Sequence, residues 1–324
     1  MKIIYITSRD TDYLQDLTYS GLVKLLGSSS VIDYPWNKKF HLPIKKYPKN
    51  LGYTGISVRI GNVIKDIDVV ILASVKPDVL VSYQKLMPLI GHLPLVFIDG
   101  GDWPTIGGDF DRLKSSYLYK DVIKQRSFDL IFKREYIEHI HGDQKNVFPF
   151  PFSFPYQLVN KNFRMAKKFD VSFWAVESDP IRSKALSIIE NKYDCRLNGT
   201  IRNQVFKKYK RKGIFYLEEI AACKIVLNFR GAGWDTMRYW EVPGTSTFMI
   251  SQKPAITIPD NFIDGTHVSW CSDSLDDITD RIDYYLKHED ERLQMAEKSH
   301  KHLLQYHLNT HRAEYLIKKI KEIM

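Results

Sequence analysis

Residues 225–250 read IVLNFRGAGWDTMRYWEVPGTSTFMI, and this stretch decides the fold. It begins with a continuous apolar run, which is typical of a buried parallel strand, and it ends with a second apolar run at 247–250. Between the two runs lie a turn with glycines and a segment that predicts a short helix, with Asp235 or Thr236 as its N-cap. A strand, a helix and a strand in this order predict a βαβ unit, and therefore an α/β fold with parallel strands.

The same alternation of strands and helices extends outward from this stretch. In the first half of the chain, predicted helices at 13–26 and 77–90 lie among four apolar runs, which are 3–6, 68–73, 95–98 and 129–132. Between the halves, residues 147–155 read VFPFPFSFP, and three prolines in nine residues predict a linker, because proline breaks helices and is rare in central strands. The sequence thus predicts two α/β halves, with a ligand site in a cleft between them.

Composition places the chain among globular proteins. Its 324 residues carry 47 Lys+Arg against 38 Asp+Glu, a formal net charge of +9, and 44% of them are hydrophobic. These values argue against a disordered or fibrous chain, and the length suggests about two domains. The three cysteines show no metal-ligand spacing and predict neither a disulfide framework nor a zinc site, so we expect a reduced, cytoplasmic protein.

Hydropathy and charge indicate whether the chain spans a membrane and which partners it can bind. No apolar run reaches the roughly 18 residues of a membrane span, so the sequence predicts no membrane-spanning segment. The basic excess leaves three kinds of partner open, which are nucleic acid, an anionic membrane surface and a phosphorylated ligand.

The turn and helix of the quoted stretch hold the first candidate ligand site. Gly231 and Gly233 let backbone N–H groups approach a ligand closely. Arg238 and Glu241, three residues apart, share one face of the predicted helix, which Pro243-Gly244 ends. One interpretation is an exposed ion pair beside an ordinary turn. The other is a phosphate site at the loop and helix N-terminus, with the glutamate accepting hydrogen bonds from ribose hydroxyls.

Three segments of the second half carry a family resemblance. They are DVSFWAVESDPIRSKAL at 170–186, MRYWEVPGTSTFMISQKP at 237–254, and the tail at 261–317, with its loop, strand and helices. In order and spacing these segments resemble the C-terminal donor domain of GT-B glycosyltransferases, in particular the spore-maturation-type group.

The resemblance implies an architecture and a co-substrate. It implies two Rossmann-like domains facing a cleft, with residues 1–150 as the acceptor domain, 151–309 as the nucleotide-sugar donor domain and 310–324 as a helix that packs back on the first domain. It also implies a nucleoside-diphosphate sugar, with Glu241 at the ribose and Arg238 near the diphosphate, and no cofactor or metal. The wider GT-B pattern has a pair of glutamates here, whereas this sequence has one, so the inverting reaction is favoured over the retaining one.

Other donor contacts are predicted because the residues follow predicted strands, whose carboxyl ends line the ligand site in open α/β sheets. These residues are Arg182, Asn198, Gly199 and Arg230. Gly244 and Thr245, between the predicted helix and the apolar run at 247–250, are further predicted donor contacts. Arg182 can equally be a solvated helix residue, and Asn198-Gly199 is a common turn dipeptide.

The first half holds the candidate catalytic base. Asp99-Gly100-Gly101-Asp102-Trp103 directly follows the apolar run at 95–98, so Asp99 and Asp102 stand at the carboxyl end of a predicted strand. Either aspartate can take the proton of an acceptor hydroxyl; alternatively, the first caps a turn and the second is solvated. Asp10 and Asp12 are a second candidate pair.

Lys133-Arg134-Glu135 is a charged run after the strand predicted at 129–132. It can add positive charge to the cleft or simply cap that strand. His139 and His141 are two apart, which does not suit a metal site on one helical face.

Together these features predict a glycosyltransferase that moves a sugar from a nucleoside-diphosphate sugar to a glycan, lipid-linked or protein acceptor, without a metal. A metal-dependent GT-A enzyme is disfavoured, because DGGD is not a DxD motif and GT-A needs no second α/β half. Nucleic-acid binding is the alternative, supported by a pI of about 9.1 and the basic run at 207–212, KKYKRK. No recognised nucleic-acid motif accompanies that run, so no nucleic-acid partner is expected. A non-catalytic sugar-nucleotide-binding protein and a peripheral contact with an anionic membrane are also left open.

Overall fold

Two units are distinguished in the computed structural model, which describes residues 1–41, 66–161, 163, 165–173, 175, 178–193 and 213–324. The first unit consists of Met1–Gln157, Ile256–Ile258 and Asn309–Met324, and the second of Leu158–Ala255 and Pro259–Leu308. The domain limits that the sequence predicts, with their acceptor and donor roles, stay predictions beside this division.

A parallel sheet lies at the centre of the first unit. Its strands are β1 (Ile3–Ile6), β2 (Val31–Tyr34), β3 (Val69–Leu72), β4 (Leu95–Asp99), β5 (Leu130–Lys133) and β6 (Val147–Pro149), in the spatial order β2-β1-β3-β4-β5-β6. Its helices are α1 (Tyr13–Leu26), α2 (Pro77–Ile90), α3 (Gly108–Arg112), α4 (Ser116–Gln125), α5 (Glu138–His141) and α11 (Asn309–Lys321). The strand order reverses between β1 and β3, where open α/β sheets place their ligands.

The apolar runs of the sequence form the central strands because they can be covered on both faces. Every side chain of β1, β3 and β4 is buried, which is the usual condition of a parallel sheet that helices cover on both sides. Their carboxyl ends lead into the loops that carry the predicted catalytic residues of this unit.

The structure differs from the sequence prediction at both edges of this sheet. The edge strand β2 was not predicted, because its sequence, VIDY, is short and interrupted by Asp33. At the other edge, residues 147–149 of the predicted linker form β6, so the linker prediction is wrong for these residues. An edge strand tolerates Pro149, because only one side of the strand has to pair.

Helix α11 stabilises the rest of the proline-rich segment. Arg312 donates from Nε to the Pro151 carbonyl at 3.1 Å and from a terminal nitrogen to the Phe152 carbonyl at 3.3 Å. The N–H of Asn309 donates to the Phe154 carbonyl at 3.0 Å. Because buried carbonyls without a partner cost free energy, these bonds let an extended segment lie inside the unit without sheet pairing.

The second unit has a parallel sheet of its own. Its strands are β7 (Phe169–Ser172), β8 (Cys223–Asn228), β9 (Phe248–Gln252) and β10 (Ser269–Cys271), in the order β10-β9-β8-β7. Its helices are α6 (Pro180–Ile189), α7 (Ile214–Ala221), α8 (Met237–Gly244), α9 (Ile278–Lys287) and α10 (Glu289–Tyr306). Among the helices that the structure describes, none is long and apolar enough to cross a membrane.

Gly21 offers a test of the packing between α1 and α11. A Cβ atom added at Gly21 would contact the main-chain oxygen of Asn309 and lie 3.0 Å from the Cβ of Ala313. We expect Gly21→Val to lower the free energy of unfolding by about 1–3 kcal/mol in urea denaturation, as overpacking does. The control is Leu25→Ala, at an exposed position of the same helix, with an expected change below about 0.5 kcal/mol. Equal effects of the two variants would contradict the close packing.

Candidate functional site

The connection from β8 to β9 brings most of the predicted ligand-binding residues of the second unit together. Thr236 occupies the N-cap position of α8, but its hydroxyl donates to Oδ1 of Asn228 at 2.7 Å and does not cap the helix. Asp235 accepts a hydrogen bond from Nε1 of Trp240 at 2.8 Å. The structure confirms Thr236 as the N-cap residue of α8, but neither candidate side chain caps the helix, because both are used in other contacts. The first N–H groups of α8 receive no side-chain cap.

Arg238 is the most unusual residue of this region. Its side chain is only 7% exposed, and its guanidinium lies over the ring of Phe173, 5.0 Å from the ring centre. Within the described residues, its Nε and Nη1 atoms have no hydrogen-bond partner. Because a buried, charged N–H group without a partner costs free energy, this arrangement favours an anionic ligand.

Glu241 is buried on the same helix and is linked to Arg238 through Tyr216 of α7. The hydroxyl of Tyr216 interacts with both side chains. Burial raises the pKa of Tyr216, and the negative charge of Glu241 raises it further, so this hydroxyl keeps its proton. The interpretation of Arg238 and Glu241 as an exposed ion pair is wrong, because both side chains are buried.

Arg182 on α6 is buried and not solvated, which removes the solvated alternative for this residue. Its Nε donates to the carbonyl of Arg230 at 2.7 Å, and its Nη2 donates to the carbonyl of Phe229 at 3.2 Å. Burial, followed by the positive charge of Arg238, lowers the pKa of Arg182 to about 10. Two guanidinium groups are thus held close enough to repel each other, which a bound anion would relieve.

The structure explains why a residue without a side chain stands at position 231, which the sequence did not suggest. A Cβ atom added there would lie 2.8 Å from Nη2 of Arg182 and 3.0 Å from Oγ of Ser178. Its N–H donates to the carbonyl of Gly233 at 2.8 Å and is therefore used inside the loop. A contact of Gly231 with a ligand stays a prediction. The structure shows that the missing side chain makes room for Arg182.

Arg230 is the third arginine of the cluster and the most accessible one. Its Nε lies 3.2 Å from Oδ2 of Asp179, and its guanidinium stacks over Trp234 at 4.5 Å from the ring centre. Asp179 is also the N-cap of α6, since it accepts a hydrogen bond from the N–H of Ile181 at 3.0 Å. The cluster of Arg182, Arg230 and Arg238 is called the arginine cluster below.

Two further predicted donor contacts, Gly244 and Thr245, lie at the C-terminal end of α8. The N–H of Thr245 donates to the carbonyl of Glu241 at 3.0 Å, and its hydroxyl donates to that of Val242 at 2.9 Å, so this residue closes the end of α8. Gly244 is the last residue of the same helix, whose final turn includes Pro243. Asn198 and Gly199 lie outside the described residues, as does the basic run at 207–212.

In the first unit, Asp99 forms a fully buried ion pair with Lys133. Its Oδ1 lies 3.0 Å from Nζ of Lys133, and its two oxygens accept hydrogen bonds from the N–H groups of Gly101 at 3.0 Å and Gly107 at 2.8 Å. Nζ of Lys133 also donates to the carbonyl of Trp103 at 2.6 Å. This pair fixes the loop at 100–107 from inside the fold. Lys133 is therefore not a solvated strand cap, and it adds no free charge to a cleft.

Asp102 lies in that loop, with 30% of its side chain exposed. Its Oδ1 accepts a hydrogen bond from Arg134, and its Oδ2 lies 3.9 Å from the Arg112 guanidinium, beyond hydrogen-bond reach. Its N–H donates to Oδ1 of the buried Asp109 at 3.1 Å. The structure thus places an accessible carboxylate oxygen on a loop that is held in place, which Asp99 does not offer.

The second candidate pair, Asp10 and Asp12, is not brought together for chemistry. Asp10 is exposed, whereas Asp12 is the N-cap of α1 and accepts from the N–H of Gln15 at 3.1 Å and from the hydroxyl of Ser74 at 2.5 Å. His141 is buried, and Nε2 of its ring contacts the Pro104 carbonyl at 2.8 Å. Within the described ranges, no group of three or more His, Cys, Asp or Glu side chains is arranged to hold a metal ion.

Sequence reasoning missed Tyr216 and Asp109. Tyr216 stands in the helix that precedes β8, and its contacts with α8 are tertiary. Asp109 lies six residues after the DGGDW segment and is buried. In the sequence, the signal for a loop-stabilising residue is an aspartate directly after two glycines.

A comparison with protein families matches most of the second unit and part of α11. Residues 183–318 match the model of a glycosyl transferase-like family. No curated protein matches the chain by sequence. The matched range contains Arg230, Arg238 and Glu241, and it begins directly after Arg182.

Solved structures resemble the chain over its whole length. HepE from Anabaena, in complex with UDP, superposes with a TM-score of 0.64 at 11% identity, covering 99% of this chain and 100% of its own. A glycosyltransferase from Rickettsia africae gives a TM-score of 0.61 at 10% identity, with 99% and 98% covered. An α-glucosyltransferase in complex with UDP and a 13-mer DNA gives 0.60 at 11% identity, with 99% of each chain covered.

Two predictions are confirmed by these findings. The α/β fold with two Rossmann-like units is that of GT-B glycosyltransferases. The family match, together with this fold, supports the prediction that the protein is a glycosyltransferase.

Gly231→Ala tests whether the loop is shaped around Arg182. Because the new methyl group would displace the arginine from two carbonyls, we expect the free energy of unfolding to fall by about 1–3 kcal/mol, as overpacking and lost hydrogen bonds do. The matched control is Ala232→Ser, at the exposed neighbouring position, which should leave stability unchanged. Chemical denaturation of both variants gives the comparison, and a neutral Gly231→Ala variant would contradict this packing.

Proposed function

We propose that the second unit binds the nucleoside diphosphate of a sugar donor, and that the protein transfers the sugar to a hydroxyl group of an acceptor. The observation that carries the proposal is Arg238, which is buried beside Arg182 and has two N–H positions without a partner among the described residues. A diphosphate has the negative charge and the acceptor oxygens that such guanidinium groups bind. Arg230, which bonds to Arg182 through its carbonyl, extends the positive charge toward solvent.

Glu241 is proposed to accept hydrogen bonds from the ribose hydroxyls. A carboxylate has two oxygens with about four lone-pair positions, which suits the two neighbouring hydroxyls of a ribose. Its place three residues after Arg238 puts the ribose contact and the diphosphate contact on one face of α8.

The comparisons support the class of donor. The Anabaena HepE structures contain UDP or UDP-glucose, and the α-glucosyltransferase structure contains UDP. At 10–11% identity these likenesses concern the fold, so a uridine nucleotide enters here as the first donor to test. The narrower resemblance of residues 170–317 to the spore-maturation-type group is part of the same proposal.

Asp102 is proposed as the catalytic base in preference to Asp99. A base needs an oxygen that an acceptor hydroxyl can reach, and Oδ2 of Asp102 meets that condition on a partly exposed side chain. Asp99 is fully buried, and its oxygens are occupied by Lys133 and two main-chain N–H groups. Its proposed role is to hold the loop that presents Asp102.

The proposed reaction is a single displacement. An acceptor oxygen attacks the anomeric carbon while its proton passes to Asp102, and the bond from that carbon to the diphosphate oxygen breaks. The diphosphate leaves with the electron pair, and the configuration at the anomeric carbon is inverted. The arginine cluster stabilises the negative charge that develops on the leaving group, so the proposal needs no metal ion for that task.

Glu241→Ala tests the donor site. Because a hydrogen bond to a charged group contributes about 1.5–3 kcal/mol, we expect donor affinity to fall by about 10- to 100-fold. Isothermal titration calorimetry with UDP, GDP, dTDP and CMP identifies the nucleotide for the unaltered protein and then measures the variant. Glu297→Ala, which changes an exposed glutamate of α10, is the control and should bind normally. If none of the nucleotides binds the unaltered protein, the proposed donor site is wrong.

Asp102→Asn tests the base. The substitution keeps the shape of the side chain and removes its ability to take a proton, so turnover should fall by about 10²- to 10⁴-fold while nucleotide affinity stays the same. Donor hydrolysis and transfer are measured with and without EDTA, and activity that survives EDTA is expected. Asp111→Asn, at an exposed position of α3, should keep full activity. Full activity of the Asp102→Asn protein would exclude this residue as the base.

A further inference from the structure

Trp103 stands out among the tryptophans that the structure describes. Each of the others has a ring partner: Trp36 stacks on His41, Trp234 on Arg230, Trp240 contacts Tyr239, and Trp270 lies under Lys253. Trp103 has no aromatic or cationic ring partner within the described residues, and 45% of its surface is exposed. A large apolar ring left open in this way is a candidate contact for a ligand.

The main chain of Trp103 is nevertheless fixed on both sides. Its N–H donates to Oδ1 of Asp109 at 3.3 Å, and its carbonyl accepts from Nζ of Lys133 at 2.6 Å. One edge of the ring is also positioned by Gly108, where an added Cβ would lie 3.3 Å from Cε3 of the indole. Buried charges thus fix the main chain that carries the exposed ring, so this segment loses less entropy when the ring binds a ligand.

The charges around Trp103 compensate one another. Asp99 pairs with Lys133 at 3.0 Å, Asp109 with Arg112 at 2.5 Å, and Asp102 with Arg134. Three acids therefore meet three bases, and Glu135, 3.5 Å from Arg134, adds a further acid. A polyanion such as a nucleic acid or a polyphosphate needs an excess of positive charge, which this surface lacks. The neighbourhood suits a neutral ligand.

We propose that Trp103 is the stacking platform for a neutral sugar ring of the acceptor, and that the acceptor is therefore a saccharide. A pyranose ring has one face of C–H groups, which packs on an aromatic ring, and hydroxyls along its edge, which need polar partners. Asp102 precedes Trp103 in the chain and carries the accessible oxygen, so the two residues offer the apolar contact and the hydrogen-bond acceptor that one sugar needs. This inference rests on the proposed function, because it identifies the acceptor of that reaction.

The test measures saccharide binding without any donor. Saturation-transfer NMR with the methyl glycosides of glucose, galactose, N-acetylglucosamine and rhamnose should show at least one that binds. Trp103→Ala should weaken that binding by at least tenfold, and Trp103→Phe should retain most of it, because a smaller aromatic ring still stacks. Trp36→Ala is the matched control, since Trp36 is exposed and already stacks on His41, and it should bind the glycoside normally.

The outcomes separate this inference from the proposed function. Nucleotide affinity is measured on the same Trp103 variants and should be unchanged, which also shows that they are folded. If the unaltered protein binds a nucleotide but none of the glycosides, or if Trp103→Ala binds the glycoside normally, the saccharide inference is wrong while the donor proposal stands. In an acceptor assay with the identified donor sugar, transfer to a serine peptide, dodecanol or an oligonucleotide but not to a glycoside would likewise overturn it.

Discussion

Charged groups can be buried only where other groups replace the water that they lose, and this constraint shapes both units. In the first unit, Asp99 and Lys133 meet it together, and their remaining hydrogen bonds go to the loop at 100–107. In the second unit, Arg182 meets it with the carbonyls of Phe229 and Arg230. The loops that follow the strands are therefore held in place by buried side chains. Arg238 departs from this pattern, which is why it marks the proposed ligand site.

The sequence predicted those parts of the structure that depend on interactions between residues close together in the chain. Continuous apolar runs predicted β1, β3, β4, β5, β8 and β9, because burial on both faces of a parallel sheet leaves a pattern within four to six residues. The edge strands β2 and β6 carry a weaker pattern, since an edge tolerates Asp33 and Pro149. The sequence also predicted that Arg238 and Glu241 share one helical face, because they are one helical turn apart.

What could not be predicted depends on contacts between distant segments. The pairing of Asp99 with Lys133 joins β4 to β5, and no local pattern distinguishes this structural aspartate from Asp102, the proposed base, three residues later. In the same way, Gly231 looks like a phosphate-loop glycine, whereas the structure shows that it accommodates Arg182, which lies about 50 residues earlier. The likeness to solved glycosyltransferases at 10–11% identity has the same origin, because a pattern of burial fixes the fold while the individual contacts vary.

The assignment of α11 to the first unit has a consequence for biosynthesis. A chain emerges from the ribosome N-terminus first, and its units usually fold in the order in which they emerge. Here the second unit ends at Leu308, so all of its residues are synthesised before Asn309 and Arg312. These two residues form the hydrogen bonds that hold the proline-rich segment of the first unit. The unit that is started first is therefore completed after the second, because it also needs residues Asn309–Met324.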